Sequence, residues 1–340
     1  MASLLLITLA APFARATAQS VPVRPASELV ILDTDIGDDI DDAFALSLAL
    51  ASPEFQILGI TTAWGDTSLR SRLVDRLLCE TGRDQIPVLT GIPTHRAGAA
   101  AFSQEPWADA GPKHPHPEAI GFLLDQIRRH PGQITLITIA PLTNIGAAID
   151  RDPATFRKLK RVVLMGGSID RGYGGYAADA QPSSTPSAEY NIAMDPAAAS
   201  KLFHSGVPIV MLPLDSTQLK LGSQAAQLAS ISTPLTDALQ VLINEWSRTT
   251  HQTIPTLFDP VAVAYVIDPT TCPTKDVSIA VDDQGFTRST PITTSHPANA
   301  AACLSPHPEL FFPLLMPRLL NQHLAGTRTC IAPIGTQASR

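Results

Sequence analysis

Six short runs of apolar residues, LVILD (29–33), QILGITT (56–62), IPVL (86–89), ITLITIA (134–140), RVVLM (161–165) and VPIVML (207–212), constrain this chain more than any other feature. A strand with one wet face alternates polar and apolar residues, whereas a strand covered on both faces has no reason to. The stretches between most of these runs carry helical spacing instead. In SLRSRLVDRLLCE, Leu69, Leu73 and Leu77 recur every fourth residue with arginines on other faces, which reads as a structural helix throughout. Buried strands alternating with helices imply an α/β fold, here a single domain with a mainly parallel central sheet flanked by helices. With 340 residues and 44% hydrophobic content, the chain can bury a substantial core.

Ligands of open parallel sheets sit beyond the carboxyl ends of the strands, so the residues that follow each run are informative. Asp33 and Asp35 follow the first run and AWGD, ending in Asp66, follows the second; PLTN follows the fourth and Gly166-Gly167 the fifth. The first of these edges is the most crowded. ILDTDIGDDIDDAFAL, residues 31–46, holds six aspartates within ten residues and no basic residue among them. At about 4 Å each carboxylate pair repels by about 1 kcal/mol in water, and by several-fold more where solvent is partly excluded. A bound cation is the expected compensation. An EF-hand loop does not fit, because its glycine would fall at the fifth position instead of the sixth and Phe44 stands where a bidentate glutamate is required. A metal-dependent phosphatase with a strand-end Asp-x-Asp nucleophile stays a distant alternative, because no clear downstream lysine and acidic pair accompanies it.

Two segments break the strand–helix rhythm: residues 94–116, and residues 168–188, which are rich in Gly, Ala, Ser and Pro. Irregular insertions of this length in a compact domain often serve as lids or binding loops. The net charge of −7 and the absence of any long Lys/Arg run argue against a nucleic-acid polymer as partner and leave a small neutral ligand.

The ordered set ILDTDIGDDIDDAFAL, LGITTAWGDTSLR, IPVLTGIP, APLTNIGAAI, VVLMGG, AEYNIAMDPAAA and FDPVAVAYVIDP resembles the inosine-uridine preferring nucleoside hydrolase family from about Glu28 to about residue 320. The resemblance implies an α/β enzyme that uses Ca²⁺ to hydrolyse the N-glycosidic bond of ribonucleosides. It implies that Asp35, Asp42, Asp259 and the carbonyl of Ile139 ligate the ion, and that Asp35 is also the catalytic base. Asp41, Glu189 and Asn191 match positions that hold the ribose, Asp259 contributes there too, and Asp66 matches a position that orients water or sugar. Homo-oligomers are common in that family.

The chain departs from the family pattern in three places. Three residues rather than one separate Gly37 from the aspartate pair Asp41-Asp42, which leaves Asp38 and Asp39 as additional loop carboxylates. Ser183 stands where members often carry a ribose-contacting asparagine. Phe258 stands where the inosine-uridine type has a histidine that protonates the leaving base. Activation of that base must then come from elsewhere, with His251, the 94–116 segment, or stacking on Trp64, Trp107, Trp246 or Phe258 as candidates. These departures keep a non-catalytic nucleoside- or sugar-binding protein on the same fold as the alternative.

Elementary chemistry runs the same way. A hard cation takes carboxylate and carbonyl oxygens and acidifies bound water, and an oxocarbenium-like state favours nearby negative charge. Taken singly, Asp259 and Asp66 each read as well or better as helix caps or turn residues, and only the aspartate cluster resists a structural explanation.

At the N-terminus, MASLLLITLAAPFARATA reads as an export signal cut before Gln19, followed by a linker over 19–27, the hydrolase domain over 28–325 and a loosely held tail over 326–340. The expected location is the periplasm or the exterior, with no membrane span after cleavage. The four cysteines form no zinc pattern and no evident disulfide framework. Cys79 reads as a core residue on an apolar helix face, and one bridge among Cys272, Cys303 and Cys330 is compatible with export.

Overall fold

The computed structural model describes residues 27–94, 102–175, 177 and 179–331. The expected signal segment, most of the linker, positions 95–101 of the first insertion and residues 332–340 of the tail lie outside the described residues.

Nine strands form one sheet: β1 (Glu28–Thr34), β2 (Phe55–Thr62), β3 (Val88–Thr90), β4 (Ile134–Ile139), β5 (Arg161–Met165), β6 (Ile209–Leu212), β7 (Thr274–Val281), β8 (Thr287–Thr290) and β9 (Ala300–Cys303). Their order is β3-β2-β1-β4-β5-β6-β9-β7-β8. The first six strands pair parallel with their neighbours and correspond to the six apolar runs. β9 extends the parallel part, and β7 and β8 close the far edge antiparallel. Those last three strands were not expected. β9 is only Ala-Ala-Ala-Cys, short and poor in β-branched residues, so no local signal marks it.

Successive residues of the central strands feed opposite layers. Val30 and Leu32 pack into one core with Ile137, Ile139, Val163 and Met165, while Ile31 packs into the other with Leu136, Val162 and Leu164. This period of two, with both faces covered, is why the runs are apolar without a break. Helix α1 (Asp41–Leu50) is buried at every position and lies against the equally enclosed Phe258–Ile267 helix. Neither helix has a polar side, as befits elements surrounded by protein. Both begin at the carboxyl edge of the sheet with aspartates in the first turn.

Asp33 is a support of this edge and does not itself line the cavity. Buried within β1, its Oδ1 accepts from Thr61 Oγ1 at 2.5 Å and from Asn144 Nδ2 at 2.8 Å. Asn144, the asparagine of PLTN, also donates to the carbonyl of Thr62 and accepts from the amide of Ile92. The two residues thereby tie β1 and β2 to the turns that follow β3 and β4.

The cysteine reading needs correction at Cys79, which is buried as expected but is bonded to Cys330 across 251 residues of chain; the second bridge, Cys272–Cys303, lies among the last three cysteines as the sequence allowed. The first bridge also revises the picture of a loose tail. Residues 326–331 are pinned by that disulfide and by the Gly326 amide, which donates to the carbonyl of Glu80. Spacing along the chain could not show that the C-terminal segment folds back onto this helix. Two disulfides suit an oxidising extracellular or periplasmic setting. Among the described residues no helix is long and apolar enough to cross a membrane.

Candidate active site

At the carboxyl edge of β1, β4 and β5 lies a cavity of about 320 Å³. Its floor and one wall are acidic: Asp35, Asp38 and Asp39 from the loop after β1, Asp41 and Asp42 from the first turn of α1, and Asp259 from the Phe258–Ile267 helix. Ile139 and Met165, at the ends of β4 and β5, complete the floor, and Glu189 and Asn191 stand beside them. Tyr173, Tyr190 and Phe258 form the aromatic side. Of the residues expected from sequence, Asp35, Asp41, Asp42, Ile139, Glu189, Asn191 and Asp259 meet here, although they come from four separate stretches of chain.

Carboxylate oxygens of Asp41, Asp42 and Asp259 lie within 4.8 Å of one another. Asp35 lines the same cavity outside that trio. Burial pushes the carboxyls of Asp41, Asp42 and Asp259 well above the ordinary range, and mutual repulsion pushes further. The Asp259 amide donates to Asp41 Oδ2 at 3.3 Å, which brings the first turns of the two helices into direct contact. Asp42 is oriented by Thr34, whose Oγ1 donates to Oδ1 at 2.5 Å. Burial likewise takes Asp35 up to about 7, against the pull of Arg70. Such a group of enclosed oxygen donors is the setting for a hard metal ion. Two oxygens on one Ca²⁺ can be no more than about 5 Å apart, a limit the trio satisfies.

Glu189 caps the short helix Tyr190–Ala193 and accepts from the amides of Gly167, Asn191 and Ile192 at 2.8, 3.0 and 3.2 Å. A carboxylate has about four acceptor positions, so one remains for a ligand hydroxyl. Asn191 is held by donating to the carbonyl of Met165 at 3.1 Å. Asp66 is placed differently. It is exposed, does not line the cavity, and caps helix α2 (Thr67–Glu80) by accepting from the amide of Leu69 at 3.0 Å. Ser183 bridges to Gly172 within the second insertion, and His251 is an exposed helix cap; neither lines the cavity, nor does Trp64, Trp107 or Trp246.

Sequence periodicity missed Arg70. The spacing sets the arginines of α2 on faces other than that of its leucines, and it does not tell that Arg70 is 2% exposed and turned toward the aspartate loop. Its guanidinium donates to the carbonyls of Asp35, Ile36 and Trp64 and pairs with Asp38 at 2.8 Å. The loop is also clamped from the first insertion. Ser103 Oγ donates to the carbonyl of Asp38 and Gln104 Nε2 to that of Asp39, each at 2.7 Å. Phe102 packs so closely on Gly37, which has φ +129°, that a Cβ there would come within 2.6 Å of the ring. Substituting glutamine for Arg70 should destabilise the protein by about 2–4 kcal/mol in urea unfolding, because carbonyls lose a buried donor and Asp38 its partner. Lysine should recover less than half, since a single ammonium cannot fork to three carbonyls. An unchanged urea midpoint in both variants would show that the loop is held without Arg70.

A mainly parallel α/β sheet that opens a carboxylate-floored, aromatic-walled cavity at its carboxyl edge has a place for a cation and a small polar ligand together. Residues 30–312 match the model of the inosine-uridine preferring nucleoside hydrolase family, and the chain belongs to that family. It is 30% identical over 270 residues to the pyrimidine-specific ribonucleoside hydrolase RihB of Escherichia coli O157:H7, covering 74% of this chain and 82% of that one. An uncharacterized protein of Schizosaccharomyces pombe is 35% identical over 232 residues, 64% of this chain and 71% of that one. Among solved structures, the purine-preferring ribonucleoside hydrolase from Gardnerella vaginalis superposes with a TM-score of 0.69 at 25% identity, over 86% of this chain and 98% of that one. The chain is therefore a nucleoside hydrolase, an enzyme that cleaves N-glycosyl bonds.

Proposed function

We propose that the protein is a Ca²⁺-dependent ribonucleoside hydrolase that releases free base and ribose, acting outside the cytoplasm. The observation that carries this reading is the buried trio Asp41, Asp42 and Asp259 facing Asp35 across one cavity, a set of oxygen donors whose charge needs a cation. Asp42, Asp259, Asp35 and the Ile139 carbonyl are the residues that would hold the ion, which supplies an acidified water and oxygen contacts for a diol. Asp35 takes the proton of the attacking water. Asp41, Asn191, Glu189 and Asp259 hold the ribose, and the carboxylates stabilise positive charge that develops at the anomeric carbon. Asp66 enters this reading only as the cap that sets the start of α2.

The base lies against Tyr173, Tyr190 and Phe258. Phe258 has no proton to give, so the leaving base draws on hydroxyl donors. Burial pushes Tyr190 up to about 12, which keeps its phenol a donor at neutral pH. Base preference is not carried over from relatives that themselves divide between pyrimidine and purine. The two disulfides and an apolar N-terminal run support residues 1–18 as an export signal.

The test is release of free base from a panel of ribonucleosides in Ca²⁺ and in strong chelator. Activity should require Ca²⁺, and the melting temperature should fall on stripping, by the equivalent of roughly 3 kcal/mol if the ion had been at a hundredfold excess over its Kd. The stripped protein should also respond to pH with a definite sign. Asp35 has its folded pKa raised from 3.8 to about 7, so its contribution is fully present below 3.8 and lost as pH rises toward 7. Stripped protein should accordingly melt higher at pH 5 than at pH 7, and saturating Ca²⁺ should flatten or reverse that slope. Activity and melting temperature both indifferent to chelator would overturn the metal assignment.

A further inference from the structure

A second convergence of ligand-type side chains lies on the far part of α2. Asp75, buried at 8% exposure, points its Oδ2 at two imidazoles: His116 Nε2 at 2.7 Å and His114 Nε2 at 3.1 Å. The three ligand atoms lie within 4.8 Å of one another, and the rings are stacked at a tilt, 4.5 Å between centroids. The His116 side chain is 5% exposed and that of His114 53%, so one ligand is fixed and the other faces solvent. His114 Nδ1 lies 3.4 Å from the carbonyl of Pro115, the second-shell contact that directs Nε2 inward. All three residues also line a cavity of about 300 Å³, which leaves room for a water on the open side.

We propose that Asp75, His114 and His116 form a second metal site, separate from the aspartate cavity, for a divalent first-row transition ion of the Zn²⁺ class. Two imidazoles and one carboxylate with an open fourth position are the ligand set of such ions, whereas Ca²⁺ and Mg²⁺ take oxygen almost exclusively. In a tetrahedral Zn²⁺ site with bonds of 2.0–2.1 Å, neighbouring ligand atoms stand about 3.3 Å apart. The observed 2.7 and 3.1 Å need only a small opening to admit the ion. Binding exchanges two imidazole N–H···carboxylate hydrogen bonds for three metal bonds, with each neutral ring moving its proton to Nδ1.

The location gives the site a structural task. His114 and His116 close the C-terminal end of the insertion whose other end, Phe102 to Gln104, grips the aspartate loop. Between them Arg76 reaches the carbonyl of Trp107 at 2.6 Å and lies over its ring. A metal at Asp75 would pin the C-terminal end of this insertion to α2. The inference does not depend on what the aspartate cavity hydrolyses.

The test equilibrates full-length protein, stripped and then saturated with Ca²⁺, with Zn²⁺, and measures retained metal after gel filtration. One Zn²⁺ per chain should be retained and should raise the melting temperature. Co²⁺ in its place should give the visible absorption of a tetrahedral site. His114→Ala, at an exposed position that does not threaten folding, should weaken Zn²⁺ by more than the roughly 10–100-fold that loss of an outer-shell partner costs. His116→Ala should do the same, while Asp259→Asn, in the other cavity, should keep the Zn²⁺. No retained Zn²⁺ in the unmodified protein would mean a hydrogen-bonded triad only, and equal retention in both histidine variants would place the metal elsewhere. Either result overturns the proposal.

Discussion

Asp35→Asn should lower kcat for ribonucleoside hydrolysis by about 10²–10⁴-fold while the folded protein keeps its circular dichroism and cooperative melt. Asparagine preserves the shape of the side chain but cannot accept the proton of the attacking water. The fold should tolerate the change, because Asp35 is buried among like charges and removing one of them relieves repulsion. Asp38→Asn is the matching control. Its carboxylate lines the same cavity but is 42% exposed and already paired with Arg70, so activity should fall by less than about tenfold, within what a partly exposed ion pair contributes. The opposite ranking, Asp38→Asn dead and Asp35→Asn active, would show that the base is the other carboxylate and that the loop works in a different register.

That register was the hardest part of the site to read from sequence. Six aspartates announce a charged loop, but only the fold separates their tasks: Asp33 ties strands together, Asp38 pairs with Arg70, and Asp39 accepts from the amide of Ile40. Asp41 and Asp42 could be assigned because they directly precede the apolar run of α1, and a helix start is a local feature that a sequence can mark. The parallel strands were legible for a related reason. Being buried on both faces leaves an unbroken apolar signature, which the short β9 and the alternating β7 lack.

Partners drawn from distant stretches left no such trace. Periodicity sorts the arginines of α2 away from its leucines, but it cannot tell an arginine facing water from one facing a buried loop, and Arg70 is the second kind. Cys79 looked like core because it is core, and its bond to Cys330 depends on a chain reversal that neither segment encodes locally. Tyr173 and Tyr190 were also passed over. Tyr173 belongs to the Gly-rich insertion already marked as a candidate binding loop, and Tyr190 stands between two residues assigned to the sugar, so position more than residue type was the available signal.

Ribonucleosides should outpace their 2′-deoxy counterparts by up to roughly 10⁴-fold in kcat/KM, whichever base the enzyme prefers. The relatives point to the sugar as the common element, since a pyrimidine-specific and a purine-preferring enzyme are both ribonucleoside hydrolases by name. Of the residues proposed to hold the sugar, Asp41, Asn191, Glu189 and Asp259 line one cavity, all at most 5% exposed. Burial makes each of them expensive to leave without a partner. Asp41 accepts from the Asp259 amide at 3.3 Å, and Asn191 donates its amide to the carbonyl of Met165. A ribose diol offers these acceptors donors of its own, whereas a 2′-deoxyribose removes one hydroxyl and leaves the buried group that faced it without that partner. Tyr173, Tyr190 and Phe258, the aromatic wall proposed to take the base, offer mainly stacking and so should discriminate less. The measurement compares inosine with 2′-deoxyinosine and uridine with 2′-deoxyuridine in saturating Ca²⁺. Near-equal kcat/KM within an active pair would mean that the 2′-hydroxyl is not held in this cavity, and the ribose roles of Asp41 and Asn191 would have to be withdrawn.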